Sequence, residues 1–346
     1  MERSSVILRE LCDMAARLVA DNKGLLAIDE SNATCNKRFA VHGIAQTVEM
    51  RRAYRELILT TPGLGASISG VILYDETIHQ ATTSGVPFVR ILTDAGIIPG
   101  IKVDIGLEDL ANHPAEKITE GLDGLRTRLQ AYFEIGARFA KWRSVFFVDQ
   151  QLPSRGCIEA NAQGLARYAA LCQEAGLVPV VESEMLMDGA HSLDRAAAVT
   201  EDVLRTVFAH LIAQGVLLEA MILKPSMVLP GTDNALTPSV EQIASVTVKC
   251  LLRAVPAAVP GIVFLSGGQS PELASARLNA MNVKSRWQAP WPLTFSFARA
   301  IQQPALAIWG GRPENVVAAQ MALDHRARLN RAARQGDYDP AMEVAA

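Results

Sequence analysis

The stretch LVPVVESEMLMDGAHSLDRAAAVTEDVLRTVFAHLIAQGVLLEAMILKPS, residues 177–226, reads as one complete strand–helix–strand unit. Its two ends are short apolar runs that stop at charged or turn-forming residues. Between them, residues 195–214 place apolar side chains at helical spacing with arginine and acids opposite. A parallel strand covered on both faces has no wet side, so it appears as an almost unbroken apolar run. The same signal recurs along the chain as GLLAIDES from 24, ISGVILYDET from 68, IIPGIKVD from 97, ARFAKWRSV from 137, GIVFLSGG from 261 and PLTFSFARA from 292. With LVPVVESE from 177 and EAMILKPS from 219, that makes eight strands. Residues 47–60, 120–136 and 159–176 supply further helical spacing between them. Eight such units with no linker or change of composition predict a single-domain α/β fold, a closed (β/α)8 TIM barrel. An open doubly wound sheet fits less well, because no GxGxxG follows the first run.

The 346 residues are 49% hydrophobic and 20% charged, ample for one large core and far from the composition of a disordered chain. A formal charge of −3 supplies no basic excess for counterion release, so no nucleic-acid partner is expected. The five cysteines, Cys12, Cys35, Cys157, Cys172 and Cys250, are scattered without a CxxC pair and read as reduced thiols. The first residues, MERSSVILRELCDMAARLVADNKG, form an amphipathic helix pattern with no signal-peptide core. No run approaches the ~20 apolar residues of a membrane span, so a soluble, cytoplasmic protein is expected. The barrel domain is expected over 1–335, including the N-terminal helix, and 336–346 as a flexible C-terminal tail.

The chain has 8 lysines against 25 arginines, and Lys102, Lys141 and Lys224 each directly follow apolar strand residues. Asp29, Glu182 and Glu184 end similar runs. Strand ends converge on one face of a barrel, so these groups can meet in a single pocket. Structural pairing is the ordinary use of such a lysine, but arginine would serve for that. Only lysine can lose its proton and attack a carbonyl, which points to amine chemistry. FLSGGQS, Phe264 to Ser270, closes the seventh strand with two glycines whose N–H groups can approach an anion, and Arg299 follows the eighth strand as a cationic clamp. The six histidines form no HExxH and no pair on one helix face, so no metal is assigned.

In the same order along the chain, LLAIDES, GVILYDET, GIKVD, ARFAKWR, VESE, ILKPSMV, FLSGGQS, LTFSFARA and GRPEN resemble the class I, Schiff-base-forming fructose-1,6-bisphosphate aldolases. The resemblance runs from about residue 5 to about residue 338. DESNATCNKR and LCQEAGLVPVVE look most like the plastid and cyanobacterial branch, and the lack of a transit peptide favours a bacterial cytosolic form. The family implies a barrel, usually a homotetramer, acting on a small-molecule sugar bisphosphate in glycolysis, gluconeogenesis or the Calvin cycle. It reversibly cleaves fructose 1,6-bisphosphate to dihydroxyacetone phosphate and glyceraldehyde 3-phosphate without metal or cofactor. Carried over by position, Lys224 is the Schiff-base lysine and Glu184 the acid and base that removes water from the carbinolamine. Asp29 corresponds to the base at the C4 hydroxyl, Lys141 to the lysine beside the nucleophile and Lys102 to another active-site lysine. Ser266, Gly267, Gly268 and Arg299 resemble one phosphate site; Ser31, Arg38 and Arg143 resemble the other, with Lys102 and Lys37 nearby.

Three positions depart from the family pattern. Ser183 replaces the proline of VEPE, which bears on the aim of Glu184. Ile105 replaces a lysine after GIKVD, a peripheral change. The chain ends in MEVAA without the family's terminal tyrosine, and Tyr338 does not match that place, so slower protonation of the enamine, or protonation by Glu184 or water, is expected. Two other readings stand beside cleavage of fructose 1,6-bisphosphate. One is a pocket that binds sugar phosphates without turnover, and the other is a Schiff-base lyase for fructose 1-phosphate or sedoheptulose 1,7-bisphosphate.

Overall fold

The computed structural model describes residues 2–285 and 289–344. All eight expected runs form strands. In chain order they are β1 (Gly24–Ala27), β2 (Ile68–Leu73) and β3 (Ile98–Lys102), then, after a hairpin of β4 (Gly106–Asp109) and β5 (Lys117–Glu120), β6 (Phe139–Phe146), β7 (Val178–Met185), β8 (Ile222–Pro225), β9 (Ile262–Phe264) and β10 (Leu293–Phe297). The barrel closes in the order β1-β2-β3-β6-β7-β8-β9-β10, with every barrel pairing parallel. The expected helices appear as Val48–Leu59, Leu125–Ile135, Arg155–Glu174 and Leu193–Ala213. The antiparallel β4–β5 hairpin was not foreseen: GLED and KITE are half charged and largely half-buried or exposed, so they give no apolar run to read.

Side chains on a strand alternate between faces, and that alternation divides the barrel lumen into layers. Leu25, Ala27, Ile72, Ile98, Phe139, Val178, Val180, Ile222 and Val263 fill its amino-terminal half in one apolar cluster. Leu11, Ala15, Leu18 and Val19 of the N-terminal segment join this cluster, so helix Glu2–Leu18 closes that end. Two residues further along each strand, the same face carries Asp29, Lys141, Glu182 and Lys224. The ring of Phe139 occupies the space that side chains at two neighbouring positions would need. A Cβ on Gly100 would lie 2.2 Å from its Cζ, and one on Gly70 would lie 3.0 Å from its Cε1.

The stretch expected to be a loose tail is docked as far as it is described. Tyr338 is buried, its N–H donates to Asn279 Oδ1 at 3.0 Å and its hydroxyl donates to Glu343 Oε1 at 2.7 Å. Glu343 in turn pairs with the buried Arg326 of helix Val316–Gln335. Nothing in the local pattern foretells this docking, because the segment has no periodicity and its partners lie on two other helices.

Candidate active site

Four ionisable side chains, one from just after β1 and one each from β6, β7 and β8, meet in a buried space. Asp29, Lys141, Glu182 and Lys224 are 8%, 3%, 4% and 3% exposed, so none can rely on solvent to carry its charge. They neutralise one another instead. Lys141 Nζ lies 2.7 Å from Asp29 Oδ2 and 3.1 Å from Glu182 Oε2, while Lys224 Nζ lies 3.1 Å from Glu182 Oε1. The Glu182 carboxylate therefore spans the two lysines, a result of register, since Glu182 and Lys224 are Cα partners across β7 and β8.

Burial pushes the Asp29 carboxyl up, but the ammonium of Lys141, followed by those of Lys224 and Lys102, outweighs it and holds the group at about 2. Burial likewise opposes charge on Glu182, and Lys141, Lys224 and Arg143 together bring it below the usual carboxylate range. Lys141 is pushed down by burial and raised more strongly by Asp29, Glu182 and Asp104, so it ends above the ordinary lysine value. At neutral pH the site thus holds ionised Asp29 and Glu182 beside a permanent Lys141 ammonium.

The other expected residues surround this group without joining it. Glu184, on the same face of β7 but one layer higher, accepts from Arg143 Nε and has no contact with Lys224. The acid touching the lysine is Glu182, while Glu184, expected from the resemblance to act as the dehydrating acid and base, lies one layer further along β7. Lys102 Nζ contacts Asp104 Oδ1 at 2.6 Å and the Asp104 carbonyl at 2.7 Å. Asp104 Oδ2 in turn accepts from the Arg143 N–H at 3.3 Å. Ser183, the family's proline position, faces away from the site; β7 runs unbroken through it, which keeps both acids aimed inward. Ile105 is 71% exposed, in keeping with a peripheral role.

Ser31 caps helix Asn32–Val41, its Oγ accepting from Thr34 N at 3.3 Å, which leaves a positive helix end beside Asp29. Arg38, on that helix, donates to Glu30 and, at 3.1 Å, to Gln302 Oε1. Gln302 is fully buried and also binds the Ala27 carbonyl, Glu30 and the Tyr54 hydroxyl. Glu30, Tyr54 and Gln302 escaped the sequence reading because they sit in a helix or outside the strand-end pattern. Lys37 is exposed, and among the described residues no ion pair reaches it.

After β9, Gly267 and Gly268 take φ values of 52° and 83°, open to glycine at little cost. Among the described residues no acceptor takes the N–H of either one. Arg299, the first residue of helix Arg299–Trp309, leans over them, its Nη2 3.5 Å from where a Gly268 Cβ would stand. Free amides beside a guanidinium have the chemistry of an anion cradle. Leu265 N donates to the Pro225 carbonyl at 3.1 Å, which sets this cradle beside the strand bearing Lys224.

A closed parallel barrel whose strand tips gather paired lysines and carboxylates under an anion cradle defines a class, the barrel enzymes of phosphorylated carbonyl compounds. The comparisons narrow it. The family described as fructose-bisphosphate aldolase class-I matches residues 10–346, and the chain belongs to that family. A probable fructose-bisphosphate aldolase class 1 of Xylella fastidiosa is 53% identical over 96% of this chain and 99% of its own length. Cytosolic fructose-bisphosphate aldolase 4 of Arabidopsis thaliana is 50% identical over 95% of this chain and 84% of its own. A solved fructose-bisphosphate aldolase from Plasmodium falciparum superposes with a TM-score of 0.94 at 46% identity, covering 96% of each chain. No helix among the described residues is long and apolar enough to cross a membrane.

Proposed function

We propose that the protein reversibly cleaves fructose 1,6-bisphosphate to dihydroxyacetone phosphate and glyceraldehyde 3-phosphate through a Schiff base on Lys224. The observation that carries this is the Glu182 carboxylate, 3.1 Å from Lys224 Nζ inside a buried pocket. A proton passed from the Lys224 ammonium to Glu182 leaves a neutral amine to add to the ketone carbon and a carboxylic acid to return that proton to the departing hydroxyl. Water leaves and the iminium remains. Asp29, ionised beside Lys141, then takes the C4 hydroxyl proton as the C3–C4 bond breaks, and the bonding pair flows into the iminium to give an enamine. Protonation at C3 and hydrolysis release the second product and the free lysine.

Arg143, which pairs with Glu184, serves the second phosphate with Ser31 and Arg38. The cradle of Ser266, Gly267, Gly268 and Arg299 lies next to the Lys224 strand and holds the phosphate on the ketone half, while Ser31, Lys102 and Arg38 line the other end. Two grips at opposite ends hold the sugar extended across the pocket. A homotetramer in the cytoplasm completes the reading; the family resemblance supports the first and a cytosolic relative the second. Light scattering on the full chain reports the subunit number.

Borohydride reduction with dihydroxyacetone phosphate, followed by peptide mass analysis, is the direct test. An adduct on Lys224 is expected, and activity lost to EDTA with no adduct would overturn the mechanism. In the same assay Glu182→Gln should lose about 10²–10⁴-fold in kcat, the usual range for a proton-transfer group. Glu184→Gln should lose far less, and the reverse order would return the dehydrating role to Glu184.

A further inference from the structure

The cradle after β9 is held from behind by a charged group that the cleavage chemistry does not use. Gln269 is buried; its backbone N–H donates to the Ser266 carbonyl at 3.0 Å and its side-chain Nε2 donates to the same oxygen at 2.9 Å. That doubly bound carbonyl is turned onto Gln269, so the loop offers its N–H groups and not its oxygen to an incoming anion. Gln269 is fixed in its turn by Arg277, on helix Pro271–Ser285, whose Nη1 donates to Gln269 Oε1 at 2.7 Å.

Arg277 is an expensive support. It is 9% exposed, its Nε is buried with no partner, and among the described residues no carboxylate pairs with it. Burial pushes its guanidinium down from the ordinary arginine value with no opposing acid. Arg326, buried on helix Val316–Gln335, differs in having Glu343 against it. A purely structural tie to the Gln269 amide could be made by a neutral donor at no such cost. An unneutralised cation behind a loop of free amides is rewarded only when an anion occupies the loop.

We propose that Arg277 is a positioning residue for phosphate: through Gln269 it holds the Ser266 carbonyl out of the cradle, and its uncompensated charge strengthens the hold on a dianion. This deepens the proposed function and rests on it, since the occupant of the cradle is taken to be the phosphate of the ketone half. The space beneath the loop is lined mostly by apolar side chains, Met185, Met187, Met227, Leu229 and Leu265 among them, with Thr200 and Ser226 as polar neighbours. They leave the field of Arg277 little screened.

Arg277→Gln keeps a hydrogen-bond donor and removes the charge, whereas Arg277→Lys keeps the charge. The binding of dihydroxyacetone phosphate and the KM for fructose 1,6-bisphosphate should weaken about five- to twentyfold in Arg277→Gln, the scale of one charge-assisted contact, with kcat nearly unchanged. Arg277→Lys should recover most of the loss. Unchanged KM in a folded Arg277→Gln, or a fall in kcat alone, overturns the proposal. Should Arg277→Gln fail to fold by circular dichroism, Gln269→Glu is read instead. It sets a carboxylate against the intact guanidinium, and undiminished dihydroxyacetone phosphate binding there is equally fatal. Borohydride trapping on Lys224 of the parent separates the two levels: no adduct sinks the function itself, while an adduct with unaltered KM in the variants sinks only the role of Arg277.

Discussion

Lys141 touches two carboxylates at once, and its worth to the protein depends on both remaining ionised. Asp29 is held at about 2 in the folded chain, below the ~3.9 of an exposed aspartate, so the stability it contributes is present above about pH 4 and lost as pH falls toward 2. Lys141 is shifted the other way, so its share is whole below ~10.4 and disappears only as pH climbs through its raised folded value. The pair is therefore intact across neutral pH and fails first on the acid side. Calorimetric Tm against pH should fall steeply below pH 4 in the parent, and Asp29→Asn should flatten that limb while losing about 2–3 kcal/mol at pH 7. An unchanged acid limb in the variant would show that Asp29 is not the group that fails. Three members of this cluster were legible in the sequence, because a charge directly after an apolar strand has few places to go. The choice between Glu182 and Glu184 was not legible, since both face inward and only the pairing of β7 with β8 sets one level with Lys224.

Among the elements, β3 and β6 are matched as a pair of shapes. Phe139 begins β6 and fills the lumen across from Gly100, where any side chain would strike the ring, which is itself fully buried. Packed interiors relax little, so Gly100→Ala should cost about 1–3 kcal/mol in urea unfolding, and Phe139→Leu in the same chain should restore part of it. Absence of any loss would mean that the ring has room to withdraw. The eight strands and their helices were readable from periodicity alone, because burial on both faces leaves a strong signal. The β4–β5 hairpin was not, being made of charged residues whose pairing is local backbone bonding with little burial.

Across the whole molecule, the first helix and the last described segment are each tied to elements distant in sequence. The N-terminal helix closes the apolar end through Leu11, Ala15 and Leu18. The C-terminal segment fastens helix Val316–Gln335 to helix Pro271–Ser285, because Arg326 binds Glu343, the Pro271 carbonyl at 2.8 Å and Ser275 Oγ at 2.7 Å. Glu343→Gln strips Arg326 of its counter-charge and should lower stability by about 1–3 kcal/mol, read as Tm, with kcat at 25 °C within about twofold of the parent. An unmoved Tm would mean that the segment does not fasten there in solution. Apolar periodicity by itself determined the barrel, and the residues at its strand ends determined the kind of chemistry, since both are written in the order of side chains along single elements. The carboxylate beside Lys224, the support behind the glycine loop after β9 and the fastening of the segment around Glu343 were decided by tertiary structure alone. Each depends on which residues of distant segments arrive at the same depth, and that is a property of strand register and helix packing that no local pattern encodes.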